Sequence, residues 1–176
     1  MIYGPNHLAE AFRTVRKNTI TIAEDIPADK YSFRAAPGVK TVGEMLVHLA
    51  VSPGWQIDLH GERIASVDFA MFGARAAKAA ADEQALTSKE DILEALKENG
   101  ERFAGFVGGL SDEALDEFVS FPPPVKPSRK SRFEMLMSVK EHEMHHRGQL
   151  MLIERMLGIV PHVTRQREVM AAQARA

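Results

Sequence analysis

Three of the chain's seven histidines fall within five residues, in the run Glu141-His142-Glu143-Met144-His145-His146-Arg147-Gly148-Gln149. On a helix, residues four apart share a face with their Cβ atoms about 5–6 Å apart. His142 and His146 have that spacing, from which two imidazoles can grip one metal ion. The run also reads His-Glu-x-x-His, the pattern in which a glutamate activates a metal-bound water in zinc peptidases. The extended form of that pattern fails, because Gln149 stands where glycine is required and Leu152 where the third histidine would be. Such peptidases also place a sheet before the active helix, whose edge strand pairs with the peptide. Everything upstream here reads as helical, so a peptidase is disfavoured.

The helix that carries these residues needs a start, a stop and an inward face. Ser131-Arg132-Phe133-Glu134 is a capping box and opens it. Gly158 as the C′ residue and Pro161 beyond it end it near Leu157. Along it, Val139, His142, His146, Gln149, Ile153 and Met156 advance by three and four residues in turn. That is a stripe facing the interior of a bundle. His145 falls on another row, with Ser138, Glu141, Gly148 and Leu152, nearer solvent. Two inward imidazoles need either hydrogen-bond partners or a cation to be buried at acceptable cost.

A third ligand must come from another helix. Thr41-Val42-Gly43-Glu44 is a second capping box, and the helix it opens carries Met45, His48, Ser52 and Trp55 on one row. His48 can therefore face inward, although a lone histidine is more often structural. Pro53-Gly54 should kink or break this helix, which leaves the direction of His60 unreadable. His7 and His162 read as ordinary polar residues near helix ends.

The remaining segments complete a helical chain. Leu8, Phe12, Val15, Thr19, Ile22 and Ile26 mark a first helix from Pro5 to about Ile26, with Pro5 tolerated in its first turn. Ser88 caps a helix carrying Ile92, Leu93, Leu96, Phe103, Phe106 and Val107, and Gly108-Gly109 stops it. A short helix starts at Ser111, and Phe121 to Pro127 reads as a stiff polyproline loop. Residues 62–87 are alanine-rich and poorly patterned, and read as a connection with a short helical piece. Residues 162–176 read as a short terminal helix or a frayed end. Four long amphipathic segments predict an all-α fold, an antiparallel four-helix bundle with short extra helices, in one domain over residues 1–176.

Composition narrows the chemistry. With no cysteine, the chain has no disulfide, thiolate ligand or cysteine nucleophile of its own. Lys and Arg number 22 against 24 Asp and Glu, with no basic stripe, which argues against nucleic acid as a partner. No signal peptide or membrane-length apolar run is legible, so a cytoplasmic protein away from membranes is expected.

The capped Thr41-Val42-Gly43-Glu44-Met45-Leu46-Val47-His48-Leu49, the later His-x₃-His pair, and His145-His146-Arg147-Gly148-Gln149-Leu150 followed by Leu157-Gly158-Ile159-Val160-Pro161 resemble the DinB-like family of damage-inducible, YfiT-like bundle proteins. The likeness runs in order along nearly the whole chain. It implies a four-helix bundle with one divalent metal ion on His48, His142 and His146. Zinc suits three imidazoles, with nickel, iron or manganese admissible. Three neutral imidazoles leave a coordination position open for water or substrate. The resemblance implies a homodimer and a metal-activated, low-molecular-weight thiol attacking a small electrophilic substrate, in the manner of an S-transferase. That thiol would be a cosubstrate here. A metal-dependent hydrolase and a non-catalytic, ligand- or partner-binding bundle are the alternatives. Candidate catalytic side chains are Glu143 as a general base, although it points about 100° away from His142, and Arg147 for an anionic substrate group. Gln149, on the histidine stripe, is placed to bond a ligand's outer nitrogen. The apolar residues 70–72 hint at an exposed patch.

Overall fold

The computed structural model describes residues 3–175. Its helices are α1 (Pro5–Asp25), α2 (Val42–Val51), α3 (Gly54–Gly61), α4 (Phe69–Gln84), α5 (Lys89–Gly108), α6 (Asp112–Asp116), α7 (Arg132–Met156) and α8 (His162–Gln173), with a 3-10 turn at Ala28–Lys30. The caps act as their sequences demand. Thr41, Ser88 and Ser131 each accept the N3 amide, while Glu44, Asp91 and Glu134 reach back to the cap amide. Gly158 follows α7 with φ of 78°, a left-handed conformation that glycine adopts without penalty.

Helices α1, α2, α5 and α7 form the four-helix bundle. Both α1 and α2 pack against α5 and against α7, so α1 and α2 stand diagonally across from each other although they are consecutive long helices. The core lies in two main tiers. One gathers Ile22, Ile26, Val42, Leu46, Leu96, Leu150 and Ile153. The other gathers Leu8, Phe12, Phe103, Val107, Leu136 and Val139, with the Phe12 and Phe103 rings edge to face at 4.7 Å.

Between the tiers sits a buried ion pair. Arg16 of α1 donates to both carboxylate oxygens of Glu143 on α7, with Nε 2.8 Å from Oε1 and Nη2 2.8 Å from Oε2. Its other donors reach the carbonyls of Leu96 on α5 and Leu49 on α2, at 2.8 and 2.9 Å. One guanidinium thus touches all four helices. Room for it comes from Gly100, where an added Cβ would lie 2.8 Å from Arg16 Cγ. Glu143 is 1% exposed and fully engaged, so its proposed role as a general base is corrected to a structural one.

Three further expectations change. Residues 62–87 contain a 16-residue helix, capped by Asp68, whose side chain accepts the Met71 amide. Its alanines supply helix propensity without periodicity. The patch at residues 70–72 is divided: Ala70 is exposed, whereas Met71 and Phe72 are half-buried against a third cluster around Leu59, Val67 and Val119. The Phe121–Pro127 loop connects two paired strands, β1 (Phe118–Ser120) and β2 (Arg129–Ser131), and turns on itself where the Val125 amide donates to the Pro122 carbonyl. Strands of three residues are too short to show an alternating pattern.

Two of the histidines outside the cluster are buried. His60 accepts from Arg132 at Nδ1 and meets Gln56 Oε1 through Nε2, pinning α3 to the start of α7. Burial and the Arg132 charge push its pKa down to about 4. His162 begins α8 with Nε2 3.2 Å from Asn18 Oδ1 on α1, rather than standing free beyond a helix end. His7 caps α1 by accepting the Gly4 amide. Glu154 is fully buried on α7, and neither oxygen has a hydrogen-bond partner among the described residues.

Two outcomes follow from these buried charges. Glu143→Gln leaves the Arg16 cation uncompensated and should lower the unfolding free energy by about 3–5 kcal/mol. A double Arg16→Met, Glu143→Met variant should recover most of that loss; equilibrium urea unfolding measures both. Burial, aided by Asp25, raises the Glu154 pKa from 4.5 to about 7. The folded state therefore holds a proton that the unfolded state releases between those pH values. This stabilisation is complete below pH 4.5 and lost as pH rises through 7. The melting temperature of Glu154→Gln, relative to the parent protein, should accordingly climb by several degrees between pH 5 and pH 8.

A candidate metal centre of three histidines

His48 comes from the last turn of α2, and His142 and His146 from successive turns of α7. Nε2 of His142 lies 3.1 Å from Nε2 of His48 and 3.2 Å from Nε2 of His146. One ligand atom from each ring lies within 4.8 Å of the other two. Two imidazoles bound to one zinc ion at about 2.0–2.1 Å and a tetrahedral angle hold their nitrogens about 3.3 Å apart. The rings are mutually perpendicular, with centroids 4.7–5.4 Å apart, so the nitrogens converge edge-on and the rings do not stack.

The outer nitrogens fix which atoms carry protons. His48 Nδ1 is 3.0 Å from Oε1 of Glu83, a carboxylate that can only accept when ionised. His146 Nδ1 is 2.8 Å from Oε1 of Gln149. Each Nδ1 therefore carries the hydrogen, and in the neutral rings each Nε2 turns a lone pair inward. His142 Nε2 faces both. It can donate a single proton to one of them, which leaves the other contact as two opposed lone pairs. A cation between the three nitrogens satisfies all of them. Two of the rings are also pushed towards the neutral form: burial first, and then the neighbouring histidines, push His142 down to about 4. His146 is lowered as well, chiefly by burial and against the opposing bond from Gln149. Neutral imidazole is the form that binds metal.

The remaining sequence candidates lie apart. His145 is exposed and stands edge-on to His146 with centroids 5.0 Å apart, in keeping with its separate row. Glu143 faces Arg16 on another side of α7. Arg147 is half-buried on the Glu143 side of the helix, and its field acts on His162. The interior face of α7 is centred on Leu136, Val139, Glu143, Leu150 and Glu154, so the histidines occupy its shoulder. Gln149 and Met156, expected inside, are consequently exposed.

Sequence reasoning missed Glu83. It lies at the end of α4, where it holds His48 and stands 3.7 Å from Lys40. The signal available was the Asp68 cap followed by an alanine-rich run, which extends a helix to residue 84. Beside His48 and Glu83 opens a cavity of about 800 Å³, walled by α2, α3, α4 and α5.

The architecture has known counterparts. YjoA, a DinB-like protein of Bacillus subtilis, superposes with a TM-score of 0.64 at 22% identity, over 86% of this chain and 92% of that one. YfiT of the same organism superposes with a TM-score of 0.66 at 16% identity, over 88% of each chain. YfiT is described as a probable metal-dependent hydrolase with an unusual four-helix bundle topology. No curated protein matches this sequence. The sequence profile of the DinB superfamily matches residues 11–150, and the chain belongs to that superfamily.

Proposed function

We propose that this chain is a divalent-metal-dependent hydrolase acting on a small molecule, with His48, His142 and His146 as the metal ligands. The observation that carries the reading is the set of three inward Nε2 atoms, two of them oriented from behind by Glu83 and Gln149. A carboxylate behind a ligating histidine fixes its tautomer and raises its basicity. An ion held by three imidazoles would supply a Lewis acid and an acidified water at its open position. The description of YfiT supports the same reaction class. Transfer of an external thiol to an electrophile uses the same open position and is the alternative outcome of the test.

The chain's own residues divide the work. His48 and the His142/His146 pair would bring two elements of the bundle to one ion. Glu83 and Gln149 would hold two of the rings in register. The adjoining cavity would receive substrate and limit its access to water. Among the described residues no carboxylate other than Glu83 bonds these rings, so proton transfer would fall to water or substrate rather than to Glu143.

The test is metal analysis of untagged protein with parallel assays. The parent chain and His145→Ala should each retain one equivalent of metal, while His48→Ala, His142→Ala and His146→Ala should lose it. Glu83→Gln should weaken metal affinity about 10–100-fold. Metal retained in His142→Ala, or stripped in His145→Ala, would overturn the ligand assignment. Turnover of aryl esters or amides by metal-replete protein, absent in His146→Ala, supports hydrolysis; a protein that is silent until a thiol and an electrophile are supplied is a transferase instead.

A further inference from the structure

The 800 Å³ cavity has a polarity that the metal centre does not explain. One side is apolar, formed by Trp55, Leu59, Ile64 and Met71. Its charges are mostly accounted for. Glu83 is held by His48, and Asp82 pairs with Lys78 at 2.5 Å. Asp58, Glu62 and Arg102 are exposed. Arg75 is different. It projects from α4, is half-buried, and lays its guanidinium over the Trp55 ring, 4.7 Å from the centroid. The ring face attracts the cation but accepts no in-plane N–H bond. No hydrogen bond or ion pair of Arg75 is present among the described residues, and burial alone accounts for its lowered pKa. Arg75 lines the same cavity as His48 and Glu83.

A half-buried guanidinium offers five donors in a planar fork that matches a carboxylate or a phosphate. The contact with Trp55 holds the guanidinium in place in advance, so less ordering is needed when an anion binds. We propose that Arg75 binds the anionic group, carboxylate or phosphate, of an amphiphilic small substrate whose apolar portion lies along Trp55, Leu59, Ile64 and Met71. The inference rests on the hydrolase reading for calling the ligand a substrate, but the binding it describes does not need the metal. It also moves the anion-binding role from Arg147, on the other side of α7, to an arginine that lines the cavity.

Trp55 is the chain's single tryptophan, so its fluorescence reports on this cavity alone. The probes are 4-phenylbutyrate, its neutral amide 4-phenylbutanamide, and phenyl phosphate, titrated into the parent protein, Arg75→Gln, Arg75→Lys and Arg102→Gln. Each is run metal-replete and again as the His142→Ala background. In the parent, 4-phenylbutyrate or phenyl phosphate should bind at least about tenfold more tightly than the amide; whichever anion is preferred identifies the group. Arg75→Gln should abolish that preference while leaving amide affinity unchanged, Arg75→Lys should restore part of it, and Arg102→Gln should keep it. The preference should persist in His142→Ala. Equal binding of amide and anions by the parent overturns the proposal. So does a preference that survives Arg75→Gln, or one lost in Arg102→Gln. A preference that survives Arg75→Gln but vanishes in His142→Ala assigns the anion to the metal, which overturns the role of Arg75 while supporting the metal centre. Failure of His142→Ala to lose metal, with the Arg75 dependence intact, separates the opposite case.

Discussion

The contact on which the rest of this structure depends is the buried Arg16–Glu143 pair. A lone charge at that depth would cost several kcal/mol, and the cost is met only because every oxygen and most donors of the pair are engaged. Its partners are adjacent in sequence to histidines of the three-imidazole cluster. Glu143 follows His142, and Leu49, whose carbonyl accepts from Arg16, follows His48. One guanidinium therefore sets the rotation of α7 and the height of α2 at the level where the three imidazoles meet. A purely apolar interface of the same volume would tolerate small slips of register. A bidentate ion pair ringed by two further carbonyl bonds tolerates few, and three nitrogens that must converge within a few ångströms tolerate fewer.

That pair also explains what was legible in the sequence. Caps, breakers and apolar spacing in α1, α2, α5 and α7 were readable because each is a local signal, and the observed boundaries fall within a residue or so of those expected. The pairing of His142 with His146, and the separation of His145 from them, followed from periodicity alone. The centre of α7's buried face did not. Periodicity assigns charged residues to solvent, whereas Glu143 and Glu154 lie at the middle of the interior face. With both misplaced, the apparent stripe shifts towards Gln149 and Met156, which the fold leaves exposed. A buried charge is legible only with its partner, and Arg16 is 127 residues away from Glu143.

Helix α4 was obscure for the opposite reason. None of its residues is fully buried and only Met71 and Phe72, in its first turn, pack against an apolar cluster, so little apolar face exists to be read, and its alanines encode helix without encoding an orientation. Yet it supplies both Glu83, which bonds His48, and Arg75, which lines the adjoining cavity. The same poverty of packing creates the cavity. Long side chains such as Arg75 and Lys78, together with Trp55 beneath, occupy the gap that leucines would otherwise close, and leave about 800 Å³ open beside His48.

The division of labour has an energetic logic. Stability resides in the two core tiers and in the ion pair between them, made mainly by α1, α2, α5 and α7. Two of the histidines ride on α7, the longest of these helices, and the third sits in the last turn of α2, so the cluster is built on the elements of the core. The cavity wall is built instead on an element that contributes no buried side chain. Replacing a residue of α4 that faces the cavity leaves the core tiers untouched, and its effect falls chiefly on what the cavity admits. The cavity is thereby separated from folding: the bundle fixes where the three imidazoles converge, and α4 shapes the space beside them.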